Sequence, residues 1–122
     1  MRSKYGTYPE YHTSEDNLDL ITPKGLEESF DIYKQVIKVI ENNFYPITAF
    51  PCEPQLSKHG LYPDLSMKGR KKHVKNMMNL LAYSDGSLDI IELFEKVGVS
   101  YDAGLNIINI LLEKKILVNA DV

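Results

Sequence analysis

The chain has 122 residues, enough for one ordinary domain or two small ones. Hydrophobic residues make up 43% and charged residues 25%, close to the globular average, which excludes a disordered or fibrous chain. The longest uncharged apolar-rich run, residues 103–112, is about half of a bilayer crossing, and no N-terminal segment has the pattern of a secretory signal. Cys52 is the only cysteine, so we expect no internal disulfide and a cytoplasmic protein without a membrane span.

The net charge of −3 is distributed unevenly along the chain. Residues 67–84 carry bases and no acid, whereas acids outnumber bases on both sides of this stretch. The bases, which we call the basic stripe, are Lys68, Arg70, Lys71, Lys72 and Lys75. They could bind phosphate or an acidic partner, or they form the solvated face of a helix. We favour the solvated face, because Val74, Met77 and Met78 supply an opposite apolar face.

The first twenty residues show no helical or strand period and are expected to form an irregular loop. A helix is predicted from Pro23 to Asn43, since Thr22 can cap it and proline suits its first position. Its apolar residues recur at spacings of four and three: Leu26, Phe30, Tyr33, Ile37, Ile40 and Phe44. Further apolar residues widen this stripe, so we expect the helix to bury more than one side; they are Ile32, Val36 and Val39.

A short strand is predicted over residues 45–50, followed by a proline-rich linker over 51–66. The next helix is expected to end at the turn residues Ser84-Asp85-Gly86, and the one after it to start at a candidate cap, Ser87, and to end at Gly98. These helices, a third one and a terminal strand are predicted over the ranges 68–83, 88–97, 101–113 and 116–118.

Helices joined by Gly98-Val99-Ser100 have the spacing of a helix-turn-helix. With the preceding helix and the following strand, residues 67–122 are predicted to form a small winged-helix-like domain of three helices, in a chain that is mainly α. The second helix of the pair would present outward Tyr101, Asp102, Asn106, Asn109 and Glu113. Because this helix contains carboxylates and no lysine or arginine, a packing or docking role is favoured over DNA binding.

The spacing of the three histidines does not by itself predict a metal site. His59 and His73 each follow a lysine and have no companion ligands nearby, and both are expected at the surface. His12 lies close to Glu15 and Asp16, but no second histidine or cysteine stands at ligand spacing. A metal site normally takes three or four protein ligands, so the residues alone favour a structural role for His12.

The segment from Arg2 to Asp19 resembles the last metal-ligand loop of co-catalytic zinc aminopeptidases, where a His-Thr-x-x-Asp-x-Leu-Asp type segment precedes a long terminal helix. Residues 53–63 and 83–86 resemble, in the same order, segments of bacterial aminopeptidase-like proteins associated with polysaccharide-biosynthesis gene clusters. Those proteins end in a winged helix-turn-helix. The resemblance therefore runs along nearly the whole chain.

The resemblance implies the C-terminal part of a zinc metallohydrolase, with the tail and terminal helix of a peptidase-like α/β domain over 1–50 and the winged helix after the linker. It also implies that His12 is a zinc ligand. In that family the other ligands and the general-base glutamate precede this histidine, so we expect no catalytic residue and no tight zinc site in this chain alone. The expected partners are its own catalytic domain or a second subunit, and not nucleic acid.

Overall fold

The helices start and stop at local signals of the sequence. The computed structural model describes residues 3–61 and 70–120, apart from the side chains of residues 70 and 71. The elements in this part of the chain are α1 (Pro23–Glu41), β1 (Pro46–Thr48), α2 (Arg70–Tyr83), α3 (Ile90–Val97), α4 (Tyr101–Glu113) and β2 (Leu117–Asn119). A 3₁₀ turn covers Leu56–His59. The predicted mainly α fold is confirmed, and no helix among the described residues is long and apolar enough to cross a bilayer.

The chain divides into an N-terminal unit, Met1–Asn42, and a winged unit, Asn43–Val122. The sequence assigned residues 43–50 to the first domain, but they lie in the winged unit. The reason is strand pairing: β1 runs antiparallel to β2, with Ile47 opposite Val118. The other edge of β1 meets the turn that follows α2, where the Thr48 N–H donates to the Ser84 carbonyl at 3.0 Å. The strand is thus held on both sides by residues late in the chain.

The predicted linker also belongs in part to the winged unit. Leu56, in the 3₁₀ turn, is only 2% exposed and joins the hydrophobic core. The turn closes at Gly60, whose φ of 70° is left-handed, and the Leu61 N–H donates to the Leu56 carbonyl at 3.0 Å. Leu56 and Leu61 therefore attach this segment to the core, while most of residues 51–60 are exposed. The rest of the predicted linker, 62–66, lies outside the described residues.

The core of the winged unit lies where its three helices and β2 meet. Besides Leu56, its buried apolar residues are Met77, Leu80, Leu81, Ile90, Leu93, Phe94, Leu105, Ile107, Ile108, Leu111, Ile116 and Leu117. The turn between α3 and α4 is closed by Gly98, at φ 71°, and by the Val99 N–H, which donates to the Phe94 carbonyl at 3.1 Å. This is the left-handed glycine stop that the sequence predicted.

The predicted cap of α3 was wrong by two residues. Asp89 is the cap: its carboxylate accepts the Glu92 N–H at 2.9 Å, and the Glu92 carboxylate accepts the Asp89 N–H at 3.2 Å. This reciprocal pair is a capping box. Ser87 instead donates its hydroxyl to Asp85 at 2.6 Å, within the turn before the helix.

Helix α1 is built as predicted but buries nothing. Thr22 caps it by accepting the Gly25 N–H at 3.1 Å, and Pro23 occupies the first turn. None of its residues is buried, although its sequence predicted burial of more than one side. Most of its apolar residues are exposed, and Val39 is half-buried.

Candidate functional site

The loop that carries His12 is a chain of tight turns. Backbone N–H groups donate to carbonyls three residues earlier, at 3.0–3.3 Å, in Thr7, Tyr11, Thr13 and Asp16. The Thr13 hydroxyl reinforces one turn by donating to the Glu10 carbonyl at 2.7 Å. The loop is therefore irregular, as predicted, yet its backbone is held by local hydrogen bonds.

Aromatic rings stabilise this loop beside His12. The Tyr8 and Tyr11 ring centroids are 5.6 Å apart in an edge-to-face arrangement, and Tyr5 lies 5.8 Å from Tyr11. The Tyr8 hydroxyl donates to an Asp16 carboxylate oxygen at 3.0 Å. The pKa of Tyr8 is raised, first because its hydroxyl is partly desolvated and second because it donates to Asp16. Asp16 is thereby oriented within the same turn region as His12.

His12 itself is exposed and has an unusual backbone. Its φ is 62°, in the left-handed region that few residues other than glycine adopt. Its ring lies 4.2 Å from that of Tyr11, at an interplanar angle of 60°. Among the described residues, no group of three or more His, Cys, Asp or Glu side chains is placed to hold a metal ion. The loop of His12 thus offers a single imidazole, fewer than the three or four protein ligands that a zinc site takes.

The other histidines do not join His12. His73 is exposed in α2, as expected, whereas His59 is half-buried and its ring lies 6.2 Å from that of Phe50. Both belong to the winged unit.

The outward face of α4 is polar and acidic. Its exposed residues are Asp102, Ala103, Asn106, Asn109 and Glu113. The predicted outward residue Tyr101 is half-buried instead, with its ring edge-to-face on Phe94 at 5.7 Å. Helix α3 adds the exposed Glu92 and Glu95, whose negative charge the exposed Lys96 offsets in part. Such a face repels the phosphates that a recognition helix approaches.

Four of the five residues of the basic stripe lie on α2, not on the helix-turn-helix pair. Lys72 and Lys75 are exposed, which fits the solvated face that the sequence favoured. Lys68 lies outside the described residues, and of Arg70 and Lys71 only the helical backbone is described. The exposed side of α2 therefore carries positive charge beside the acidic helix pair.

The structure has a cleft between residues 48–54 and α2 that the sequence did not predict. Its volume is about 460 Å³, and its lining includes Phe50, Cys52, Met78 and Ala82. The cleft exists because the proline-rich segment folds back on α2, which local sequence signals do not report.

A sequence profile of winged helix-turn-helix domains matches residues 44–119, more than half of the chain. The chain belongs to this winged helix-turn-helix family. A profile of a domain of unknown function (DUF4910) matches residues 1–43. The two profiles meet within two residues of the division that the contacts make between the N-terminal and winged units.

Longer proteins from Clostridium acetobutylicum are similar to the chain. One, named as a polysaccharide biosynthesis protein with an aminopeptidase-like domain, is 37% identical over 105 residues, which are 83% of this chain and 24% of that protein. The crystal structure of a protein described as a peptidase matches with a TM-score of 0.78 and 31% identity, over 98% of this chain and 26% of that one. The chain thus spans about a quarter of the length of each, and the resemblance to aminopeptidase-like proteins is confirmed.

Proposed function

We propose that the chain acts as the C-terminal part of an aminopeptidase-like zinc metallohydrolase. The observation that carries this proposal is the match to the named aminopeptidase-like protein, which covers 83% of this chain but only 24% of that protein. In the proposal, residues 1–43 supply the last loop and terminal helix of the hydrolase domain, and the winged unit is an appended module. The name of the relative adds polysaccharide biosynthesis as the proposed setting, and the reducing cytoplasm remains the proposed compartment.

His12 is the residue that we propose as a zinc ligand. Its exposure on a hydrogen-bonded loop suits a ligand presented to a neighbouring domain. In a complete site of this kind, zinc polarises a carbonyl and lowers the pKa of bound water. A single imidazole does not fix such an ion, and the described residues contain no group of three or more side chains placed to hold one. We therefore assign the chain a ligand and no catalytic step.

Zinc titration tests this assignment. We expect calorimetry on the 122-residue chain to show only weak binding, because among the described residues no three His, Cys, Asp or Glu side chains are grouped to hold a metal ion. The variants His12→Ala and His59→Ala should each leave that weak signal nearly unchanged. A tight site of one zinc per chain, lost in His12→Ala and kept in His59→Ala, would show that the chain holds metal on its own.

The same residue can be tested in a complete protein. In the clostridial aminopeptidase-like protein, alanine at the position aligned with His12 should lower the bound zinc measured by mass spectrometry. Alanine at the position aligned with His59 serves as the control. Unchanged zinc content in the first variant would refute the proposed ligand role.

For the winged unit we propose docking to protein rather than to DNA. The acidic outward face of α4 supports this choice, since DNA affinity rests largely on lysine and arginine contacts to phosphate. We expect no saturable binding to duplex DNA by fluorescence anisotropy at about 50 mM salt, a condition that strengthens electrostatic binding. Binding that weakens steeply with salt, and further in Lys72→Ala/Lys75→Ala, would favour DNA instead.

A further inference from the structure

Two features of the winged unit meet on one side of α2, a cleft and a row of positive charge. At 3.6 residues per turn, these residues fall within about 80° of the helix circumference: Lys72, Lys75, Asn79 and Ala82. The last two line the cleft between α2 and residues 48–54. The lysines are exposed closer to the start of the helix. Cleft and lysines therefore form one continuous surface, which we call the α2 surface.

The cleft suits an apolar side chain. Its volume of about 460 Å³ lies within the usual range for ligand sites. The apolar part of its lining is Phe50, Pro51, Pro54, Met78, Leu81 and Ala82. Phe50 is 39% exposed, so part of its ring is open to solvent. Rigid proline rings beside an exposed aromatic ring offer contact area at low cost in side-chain entropy.

The charge next to the cleft is positive and is not neutralised locally. Helix α2 contains no acid. Among the residues that the structure describes, no carboxylate forms a salt bridge with Lys72 or Lys75. Such a surface attracts acidic groups and speeds their association. Glu53 lines the opposite wall of the cleft, so the acidic groups of a ligand would lie on the α2 side.

The spacing along α2 matches a peptide in extended conformation. A rise of 1.5 Å per residue places Lys75 and Lys72 about 6 and 10 Å from Asn79 along the helix axis. An extended segment advances about 3.3 Å per residue. With an apolar side chain in the cleft, the residues two and three positions away would therefore lie beside the lysines.

We infer that the α2 surface binds an acidic peptide segment of a partner protein, with one apolar side chain in the cleft and carboxylates on Lys72 and Lys75. The inference rests on the proposed docking role of the winged unit, and it names the site and the chemistry of the partner. Charge complementarity selects acidic residues. The apolar cleft selects a peptide over a phosphate, for which the lysines alone would suffice.

Selection from a random peptide library displayed on phage tests this inference with the full 122-residue chain. Enriched peptides should carry Asp or Glu within three positions of an aromatic or branched aliphatic residue. A fluorescein-labelled enriched peptide is then titrated by anisotropy. Lys72→Gln/Lys75→Gln should weaken its binding about tenfold, the size expected for two exposed ion pairs. Lys114→Gln/Lys115→Gln is the control, because it removes the same charge from exposed residues outside the cleft.

The cleft is tested separately from the lysines. Ala82→Trp fills it and should abolish peptide binding, whereas Ala103→Trp at an exposed position of α4 should not. Glu53→Gln should tighten binding, since it removes a repelling carboxylate. Cys52 reports on occupancy without any substitution, because it is the only cysteine, is exposed and lines the cleft. Its alkylation by iodoacetamide should slow as the peptide saturates the chain.

Several results would overturn the inference. They are a selection without enrichment, enriched peptides without acids, and peptides that leave the alkylation of Cys52 unchanged. Protection of Cys52 that rises with chain concentration in the absence of peptide would make a second copy the occupant. Peptides that bind equally well to Lys72→Gln/Lys75→Gln and Ala82→Trp would refute the α2 surface and keep the docking role. Salt-sensitive DNA binding would instead refute the docking role itself, so the two proposals can fail separately.

Discussion

The approach of α3 and α4 at Gly104 is tight enough to forbid a methyl group. A Cβ at Gly104 would lie 2.7 Å from two atoms of the Phe94 ring and 2.8 Å from a third. Phe94 is 3% exposed and also packs against Tyr101, so its ring has little room to move away. We therefore expect Gly104→Ala to destabilise the winged unit, although alanine is the better helix former.

The size of the destabilisation depends on two opposing effects, the steric clash and the gain in helix propensity. Adding one methyl to a packed core costs about 1–3 kcal/mol, and contacts roughly 1 Å shorter than the carbon–carbon optimum place this site in the upper part of that range. Replacing glycine in a helix by alanine recovers about 1 kcal/mol. A net loss of about 1–2 kcal/mol lowers the melting temperature of a domain of this size by roughly 4–16 °C.

Thermal and urea unfolding followed by circular dichroism will measure the change. Asn106→Ala is the matched control, because Asn106 is exposed on the same helix and the substitution adds helix propensity without touching the core. Phe94→Leu should cost less in the Gly104→Ala background than alone, since the smaller side chain relieves the clash. A Gly104→Ala protein as stable as the wild type would refute the close packing of α3 on α4.

Two further substitutions test the cap and the linker. Asp89→Ala removes the α3 cap and the bond from the Asn43 amide at 2.9 Å, and should cost about 1 kcal/mol in urea unfolding. Desolvation raises the pKa of Asp89, but hydrogen bonds from Asn43 and from backbone N–H groups lower it further, so the folded pKa is below the unfolded one. The stability from this carboxylate is then present above the unfolded pKa of about 4 and is lost as the pH falls through the folded pKa. The free energy of unfolding that is lost in acid should therefore be smaller in Asp89→Ala than in the wild type. An equal loss in both proteins would contradict this assignment. Leu56→Ala should cost about 2–5 kcal/mol if residues 51–61 belong to the core, and close to zero if they form a free linker.

Local signals predicted the helices well. Thr22-Pro23 starts α1 and Gly98 stops α3, because capping and left-handed glycine geometry involve only neighbouring residues. The cap of α3 was misplaced because Ser87 and Asp89 are both good capping residues. The Glu92 that completes the box stands three residues after Asp89, and this spacing was the signal that could have decided between them.

The pairing of strands far apart in the chain could not be predicted from the sequence. The pairing of β1 with β2 joins residues about seventy positions apart, and nothing in Pro46–Thr48 alone specifies that partner. For the same reason the prolines after β1 indicated a linker, whereas Leu56 is buried in the core. The role of His12 came from resemblance, because one imidazole carries no spacing information about ligands contributed by another part of a polypeptide.

The two units differ in what they need for stability. The winged unit has a core of its own, formed by three helices and closed by strands from both of its ends. In the N-terminal unit, α1 buries no residue, and the loop of His12 is held by local turns and tyrosine rings. An amphipathic helix gains most of its stability from packing its apolar face. The unit that carries the proposed zinc ligand is thus the one whose helix has no buried residue to stabilise it.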